Sequence, residues 1–176
     1  MLSVKACDLP PDALLNTYVQ RGAYVDCYFT DVFGVVSHAQ YVEAFYTSSL
    51  FKVERLILKT ALSRPSTDLQ ARELAAGRLD TFAAWSVEGC GRDQLLLADF
   101  SGRTKSWLMS SAIEDRAAAR TRLYFGSAVV PVVNPASRES TLGFAFQSLL
   151  GFHKLYSRAL LFAAASRLAR RQTGGR

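Results

Sequence analysis

The sequence has few of the residues from which disulfide frameworks and metal sites are built. Its three cysteines, Cys7, Cys27 and Cys90, are far apart and form no CxxC pair. An odd number at this spacing argues against a disulfide framework and against a thiolate zinc site, so we expect reduced and mostly buried thiols. The two histidines, His38 and His153, show no HxH or HxxxH spacing. The sequence therefore predicts no metal site.

The motifs of several common enzyme classes are also missing. The chain contains no GxSxG nucleophile elbow, no P-loop and no GxGxxG fingerprint. These motifs position the nucleophile of α/β-hydrolases or hold the phosphates of nucleotides. We therefore predict no nucleotide cofactor, and the sequence indicates no other cofactor.

No stretch is typical of a secretory signal or of a membrane span. The beginning, MLSVKACDLPPDALL, has two early prolines and no unbroken apolar core, which predicts a cytoplasmic protein. The long apolar stretch 144–171 has Lys154 and Arg158 near its middle. Each of these charges would cost about 2.5 to 3.5 kcal/mol at a bilayer centre, so no transmembrane segment is predicted.

Positive charge is in excess, but it is concentrated at one end of the chain. The net charge is +6, and four of these six charges come from Arg167, Arg170, Arg171 and Arg176. Because no basic stripe continues through the remainder, we predict no nucleic-acid partner. Arginines at a helix C-terminus interact favourably with its unpaired carbonyls, which favours a solvated tail. Weak contact of this tail with an anionic membrane surface is the alternative.

The 176 residues and their 49% hydrophobic content fit one globular domain with a substantial core. We expect this domain to span residues 1–176, with an irregular arm at 1–22 and a basic, disordered tail at 172–176. Two prolines break any helix at the start of the arm, although a short helix within 12–20 is possible.

The longest predicted element is an amphipathic helix over 144–171. At 3.6 residues per turn, Leu149, Phe152, Tyr156, Leu160 and Ala163 lie on one side of it. A helix of roughly 25 residues is about 38 Å long, enough to cross the face of a small sheet. We therefore expect this side to pack on a broad apolar surface.

Three shorter helices are predicted between the first strand, 24–29, and the later ones. Ser37 with Gln40, and Thr67 with Gln70, each have the spacing of a capping box, which starts a helix. The first box places His38 just after the cap, where we expect it to be exposed. A third helix, lying between these two, ends before Pro65. From residue 80 the pattern changes to alternating strands, TFAAWSVE, QLLLADF, RTKSWLM and RTRLYFGSAVV, which predict an antiparallel meander.

This order of elements, with the segments DQLLLADFSGRTKSWLM and LLGFHKLYSRALL, resembles an uncharacterised bacterial family of the START-like superfamily. That superfamily of helix-grip domains includes polyketide cyclases and lipid-transfer proteins, and the resemblance covers roughly residues 22–170. It implies an α+β fold in which a curved antiparallel sheet wraps the long C-terminal helix, with short helices between the first and second strands. The superfamily has no shared catalytic motif, so it implies no catalytic residue here.

The resemblance also implies a space between sheet and helix, which is either filled by side chains or kept for an apolar ligand. The residues that would line it are Phe152, His153, Tyr156 and Leu160 from the helix, and Trp85, Trp107, Met109 and Tyr124 from the sheet. Plain core packing is the alternative interpretation of the same side chains.

Three residues are candidate acid or base groups. His153 lies at the edge of the apolar side of the helix, and Asp26 and Asp99 lie within apolar strands. A buried carboxylate must be paired or protonated, so either aspartate could belong to a site. Cross-strand ion pairs are the alternative, for which the available cations are Arg103, Lys105 and Arg122.

The sequence leaves three classes of function open. The preferred hypothesis is a carrier or sensor that binds a small apolar or amphipathic molecule, such as a lipid, between the sheet and the long helix. A cyclase, dehydratase or hydrolase acting in the same cavity is the second. The third is an interaction module that dimerises through Leu150, Leu161 and Leu168, which fall off the main apolar side of the helix.

Overall fold

The computed structural model describes residues 2–114, 118–133, 140–141 and 144–173, and from 144 to 150 it describes the helix without its side chains. The helices are α1 (Asn16–Gln20), α2 (His38–Tyr46), α3 (Ser49–Leu62), α4 (Asp68–Ala75) and α5 (Phe144–Thr173). The strands are β1 (Lys5–Ala6), β2 (Tyr24–Phe33), β3 (Thr81–Phe82), β4 (Trp85–Cys90), β5 (Gln94–Asp99), β6 (Thr104–Ile113), β7 (Arg120–Val129), β8 (Val132–Val133) and β9 (Ser140–Thr141).

Seven of these strands form one antiparallel sheet in the order β1-β2-β7-β6-β5-β4-β3. The first long strand pairs with the last, from Tyr24 opposite Val129 to Phe33 opposite Arg120. Strands β4 to β7 follow one another as a meander, as the alternating segments predicted. The predicted α+β class, a curved antiparallel sheet with a C-terminal helix, is confirmed.

Both predicted capping boxes are present. The backbone N–H of Gln40 donates to Ser37 Oγ at 3.2 Å, and that of Ser37 donates to Gln40 Oε1 at 2.9 Å. Thr67 and Gln70 make the same reciprocal pair at the start of α4. These signals succeed because each side chain satisfies an N–H group within its own helical turn.

One face of the sheet, which we call the inner face, packs against α2, α4 and α5. The ring of Phe45 in α2 lies 5.0 Å from the ring of Phe125 in β7, and similar aromatic contacts extend through Tyr46 and Phe51 to Phe82. Large rings in edge-to-face and tilted contact fill this part of the core.

Helix α5 is turned about its axis relative to the prediction. Leu160 is buried as expected, but Phe152 is 66% exposed and Tyr156 is half-buried. The side chain of Leu149 lies outside the described residues. The buried positions farther along are Leu161, Ala164, Ala165 and Leu168. Small alanines at the contact let the helix backbone approach the sheet closely, which favours this face over the one bearing Phe152.

This orientation corrects the proposed dimer contact. Leu161 and Leu168 belong to the inner core and are essentially inaccessible, so they cannot form a subunit interface in this fold. The side chain of Leu150 lies outside the described residues. Helix α5 continues to Thr173, so positions 172 and 173 of the predicted disordered tail are helical. Positions 174–176 lie outside the described residues.

The opposite, outer face of the sheet is covered by the arm, which is less irregular than predicted because it contains β1 and α1. Leu15 and Tyr18 of the arm pack on a second core that includes Cys27 and Trp107. The buried amide of Gln94 anchors the arm, since its Oε1 accepts from Leu14 N–H at 3.0 Å and from Trp107 Nε1–H at 2.9 Å. Its Nε2 donates to the carbonyl of Asp12 at 3.0 Å.

A helix able to cross a bilayer, judged by length and apolar character, is not found in the described part of the chain.

Candidate functional site

Two of the three predicted acid or base residues lie together at one end of the inner face. Asp26 in β2 stands directly opposite Ser127 in β7, and both side chains point toward α5. Ser127 Oγ lies 2.6 Å from Asp26 Oδ1 and 2.8 Å from His153 Nε2 on the helix. His153 Nε2 is also 3.4 Å from Asp26 Oδ2. We call these three residues the Asp26 cluster.

The hydrogen-bond network assigns direction within the Asp26 cluster. Ser127 donates its one hydroxyl proton to the Asp26 carboxylate, so its oxygen can only accept from His153. In this arrangement Nε2 of His153 carries a proton. The geometry differs from a nucleophilic triad, in which the carboxylate holds the ring nitrogen that does not face the serine.

Asp26 is stabilised by hydrogen bonds instead of a cationic partner. Its side chain is only 8% exposed. Besides Ser127 and His153, it is approached by Tyr28 Oη at 3.4 Å. Among the residues that the structure describes, no arginine or lysine forms an ion pair with Asp26. Hydroxyl and imidazole groups therefore supply the partners that a buried carboxylate needs.

Two tyrosines complete the surroundings of the Asp26 cluster. The ring of Tyr24 meets the ring of His153 edge-on, with centroids 6.3 Å apart. Burial, followed by the charge of Asp26, raises the pKa of both Tyr24 and Tyr28 above its ordinary value. Both phenols are therefore protonated at neutral pH and are available as hydrogen-bond donors.

A cleft of about 350 Å³ opens beside His153 at the end of the sheet. The turn between β5 and β6 forms its other wall, and the residues that line it are Asp99, Ser101, Arg103, Thr104, Val129 and His153. Its volume lies at the lower end of the range of roughly 300 to 1,000 Å³ found for small-molecule sites. Of the three residues of the Asp26 cluster, His153 lines this cleft.

The third candidate, Asp99, lies in the wall of this cleft but has a structural task. Its carboxylate accepts from the backbone N–H groups of Arg103 at 2.9 Å and Thr104 at 3.1 Å, and from Ser101 Oγ. These bonds hold the β5–β6 turn in shape. Asp99 therefore positions the wall that carries Arg103, and it has little remaining capacity to act as a base.

The predicted cross-strand ion pairs form with other acids. Arg122 makes a two-pronged contact with Asp31, with Nε 2.7 Å and Nη2 3.0 Å from its oxygens. Lys105 Nζ lies 2.5 Å from Glu88 Oε2. Arg122 and Lys105 therefore leave Asp26 and Asp99 without the partners that the sequence suggested.

The predicted lining residues divide between the two faces of the sheet. Trp85, Tyr156 and Leu160 pack on the inner core. Trp107, Met109 and Tyr124 instead belong to the outer core under the arm, so their assignment to a cavity against α5 is wrong. The side chain of Trp107 turns outward because its Nε1–H bonds to Gln94, and Met109 and Tyr124 face the same way.

The exposed ring of Phe152 stacks on Tyr156 at 5.9 Å, one turn from His153. Tyr156 Oη in turn donates to Glu54 Oε2 of α3 at 2.6 Å. Burial raises the pKa of the Glu54 carboxyl group above its ordinary value, against the effect of the Tyr156 hydrogen bond. This pair ties α3 to the part of α5 that carries His153.

The sequence led us to expect an exposed His38, but its side chain is largely buried. Its Nδ1 lies 3.5 Å from Ser110 Oγ. Desolvation lowers the pKa of His38 to about 4, so the imidazole is neutral at neutral pH. It lies outside the cleft and takes no part in the Asp26 cluster.

A larger open groove of about 660 Å³ lies between the start of α3 and the last turns of α5. It is lined by Ser48, Ser49, Leu50, Phe162, Ala163, Ser166, Arg167, Arg170 and Arg171. Arg171 of this groove pairs with Glu43 at 3.0 Å. None of its lining residues belongs to the Asp26 cluster, so we regard the smaller cleft beside His153 as the candidate site.

Sequence reasoning missed Ser127 and Tyr28. Ser127 follows Phe125 by two positions and so shares its face, and a polar residue there interrupts an otherwise apolar series. A polar residue at this position indicates a site only when β2 is known to pair with β7, because Asp26 and Ser127 are 101 positions apart in the sequence. In the described residues, no group of three or more histidine, cysteine, aspartate or glutamate side chains could hold a metal ion.

Comparison with known proteins adds no identity to this geometry: no family model matches the chain, and no curated protein is significantly similar to it.

Proposed function

We propose that the protein binds a small amphipathic molecule in the cleft beside His153. The observation that carries this proposal is the position of His153, which lines the cleft and contacts the buried carboxylate of Asp26 and the hydroxyl of Ser127 behind it. The imidazole of His153 lines this cleft and brings a polar ring beside the polar group of the ligand. The guanidinium of Arg103, which lines the same cleft, would favour a ligand whose polar group is negatively charged.

Apolar contacts are available in the cleft and on the helix near it. Val129 lines the cleft, and the stacked rings of Phe152 and Tyr156 lie within one helical turn of His153. An exposed aromatic pair beside a polar cluster suits the hydrocarbon or aromatic part of an amphipathic ligand. The ligand would thus lie with its polar group toward His153 and its apolar part along α5.

This proposal moves the expected cavity of a helix-grip domain to one end of the sheet. The half of α5 from Leu160 to Leu168 is packed against the inner core by Leu161, Ala164 and Ala165. The cleft beside His153 lies at the other half of the helix. The proposed carrier or sensor therefore accepts a smaller ligand than a cavity spanning the whole helix would hold.

Titration with the fluorescent probe anilinonaphthalene sulfonate tests this proposal, because the probe joins an aromatic system to an anionic group. We expect saturable binding to the native protein, and about tenfold weaker binding after His153→Gln or Arg103→Gln, the effect of losing roughly 1.4 kcal/mol. Arg92→Gln is the matched control, since it removes the same charge from an exposed turn outside the cleft.

Equal weakening by Arg92→Gln and Arg103→Gln would show that the probe responds only to net charge. Binding that is unaffected by both cleft substitutions would place the probe elsewhere and contradict the proposal. Circular dichroism of each variant at the titration temperature ensures that folded proteins are compared.

A second function, general acid–base catalysis in the same cleft, is favoured by one specific observation. Among the described residues, Asp26 forms no ion pair with an arginine or lysine. Through Ser127 it orients the imidazole of His153. A neutral imidazole oriented by a carboxylate can take a proton from a bound substrate, as cyclase, dehydratase and hydrolase chemistry requires. Ser127 acts here as a positioning residue.

Hydrolysis of p-nitrophenyl acetate provides a probe for such a base. If His153 acts as one, we expect acceleration over the buffer reaction to be lost in His153→Gln. We expect Ser127→Ala, which removes the hydroxyl between the ring and Asp26, to reduce the rate by about tenfold to a hundredfold. A rate that His153→Gln leaves unchanged would exclude the acid–base role with this probe, while leaving the binding proposal to the titration above.

A further inference from the structure

The outer face of the sheet contains two thiols in direct contact. Cys7 Sγ lies 3.4 Å from Cys27 Sγ, and the backbone N–H of Cys7 donates to the carbonyl of Cys27 at 3.0 Å. The pairing of β1 with β2 joins Lys5 to Phe29 and Ala6 to Tyr28, so Cys7 continues this register opposite Cys27. Both cysteines are free thiols.

Their backbone positions are compatible with a covalent bond. Directly opposed residues of a hydrogen-bonded antiparallel pair have Cα atoms about 5.5 Å apart, within the range of roughly 4.4 to 6.8 Å that disulfides require. The two sulfur atoms, 3.4 Å apart, must approach by about 1.4 Å in total to reach a bond length of about 2.05 Å, which side-chain rotation can supply. The strands themselves need not separate.

The two thiols differ in their surroundings. Cys7 is half-buried and, with Asp8, Leu9 and Asn16, borders an open groove of about 440 Å³, whereas Cys27 is almost fully buried. The contact between the two thiols lowers the pKa of Cys7, and the same contact together with burial raises the pKa of Cys27. Cys7 is therefore the accessible nucleophile and Cys27 the thiol that follows it.

We propose that Cys7 and Cys27 form a reversible disulfide by exchange with a small disulfide such as oxidised glutathione. The Cys7 thiolate attacks one sulfur of the oxidant, forming a mixed disulfide and expelling one thiolate. Cys27 releases its proton to solvent and attacks Cys7 Sγ, forming the Cys7–Cys27 bond and expelling the second thiolate. Two protein thiols are oxidised while one small disulfide is reduced to two thiols.

The bond would act on the arm. Cys7 and Cys27 are 20 positions apart, and the loop between them contains Leu15 and Tyr18, which cover Trp107. Closing this loop reduces the conformational freedom of the unfolded chain and holds the arm on the outer core. The oxidised protein should therefore unfold at a higher temperature, by roughly 4 to 10 °C for a chain of this size.

Peptide mapping after incubation with oxidised glutathione tests the proposal directly. Trypsin cleavage at Lys5, Arg21 and Lys52 places Cys7 on peptide 6–21 and Cys27 on peptide 22–52, and Cys90 falls on a third peptide, 79–92. We expect the intact mass to fall by about 2 Da, and peptides 6–21 and 22–52 to be cross-linked until reduced glutathione is added.

Cys90→Ser is the matched control and should leave this cross-link unchanged, because Cys90 is exposed and distant from the pair. Cys7→Ser should abolish it. Stable glutathione adducts on Cys7 without a 6–21 to 22–52 cross-link, or cross-links that involve only Cys90, would overturn the proposal. The map of the native chain decides the question even if a variant fails to fold.

Discussion

Gly126 lies directly opposite Trp107 across strands β6 and β7, and the indole occupies the space where a side chain at position 126 would begin. A Cβ atom at this position would lie 2.9 Å from Trp107 Cε3 and 2.9 Å from Leu15 Cδ2. Leu15 belongs to the arm, so the missing side chain allows arm, indole and strand to pack at one point. The glycine is needed for close approach between elements.

Substitution Gly126→Ala should therefore destabilise the protein by about 1 to 3 kcal/mol, the usual effect of an extra methyl group in a packed core. Gly151→Ala is the control: Gly151 is exposed in α5 with open space around it, so alanine there should stabilise the helix by about 0.5 to 1 kcal/mol. Urea unfolding of both variants measures the difference. If the two variants changed the free energy of unfolding by the same amount, or if Gly126→Ala had no effect, the packing described here would be contradicted.

Gln94 supplies a second test of how the arm is held. Gln94→Leu keeps a similar volume but removes the acceptor of Leu14 N–H and Trp107 Nε1–H and the donor to Asp12. Leaving these buried groups unpaired should cost about 2 to 4 kcal/mol in the free energy of unfolding. Limited trypsin digestion should then cleave faster after Arg21, at the end of the arm, than after Arg78, which is far from it. Unchanged cleavage would show that apolar contacts alone hold the arm.

The elements that the sequence predicted correctly are those specified by neighbouring residues. The capping boxes at Ser37 and Thr67 and the meander of strands depend on contacts within one turn or one hairpin. The choice of face failed for Trp107 because alternation defines two faces without telling which one the helix covers and which one the arm covers. Helix α5 is apolar on several sides, so its rotation depended on where alanines allow close approach.

The candidate site was predictable in part. Asp26 and His153 were chosen as a carboxylate in a strand and an imidazole at the edge of the helix, and the fold brings them within 3.4 Å. Ser127 connects them only because the first and last long strands are neighbours, a pairing of residues 101 positions apart that no local pattern encodes. Asp99, like Asp26, is a carboxylate within an apolar strand. Its oxygens, however, accept hydrogen bonds from the backbone of the β5–β6 turn.

His38 should make stability depend on pH in a defined window. Its pKa is about 4 in the folded protein and near 6.5 in the unfolded chain, so between these values the unfolded chain binds more protons. Stability should therefore fall as pH decreases from 6.5 toward 4, by up to about 3 kcal/mol in total. His38→Gln removes this titration. The difference in unfolding free energy between native protein and variant should be constant above pH 7 and should change below 6.5, and a constant difference throughout would contradict a buried neutral imidazole.

The Tyr156–Glu54 contact should also make stability depend on pH, but here the effect is larger at high pH. Burial raises the pKa of the Glu54 carboxyl group and the Tyr156 hydroxyl partly offsets this, so Tyr156→Phe should raise that pKa further. Because the contribution of a group with a raised pKa is lost as pH rises through its folded pKa, the variant should lose more stability at pH 7 to 8 than at pH 4. The expected loss at pH 7 is about 1 to 3 kcal/mol.

Glu54→Gln provides the comparison for this last measurement. It keeps an acceptor for Tyr156 Oη but cannot ionise, so it should relieve the burial of charge and make the effect of Tyr156→Phe independent of pH. A double-mutant cycle at pH 4 and pH 8, from urea unfolding, measures the coupling between the two side chains. A coupling that is equal at both pH values would contradict the expected pH dependence, and a coupling near zero at both would mean that α3 is tied to α5 by packing alone.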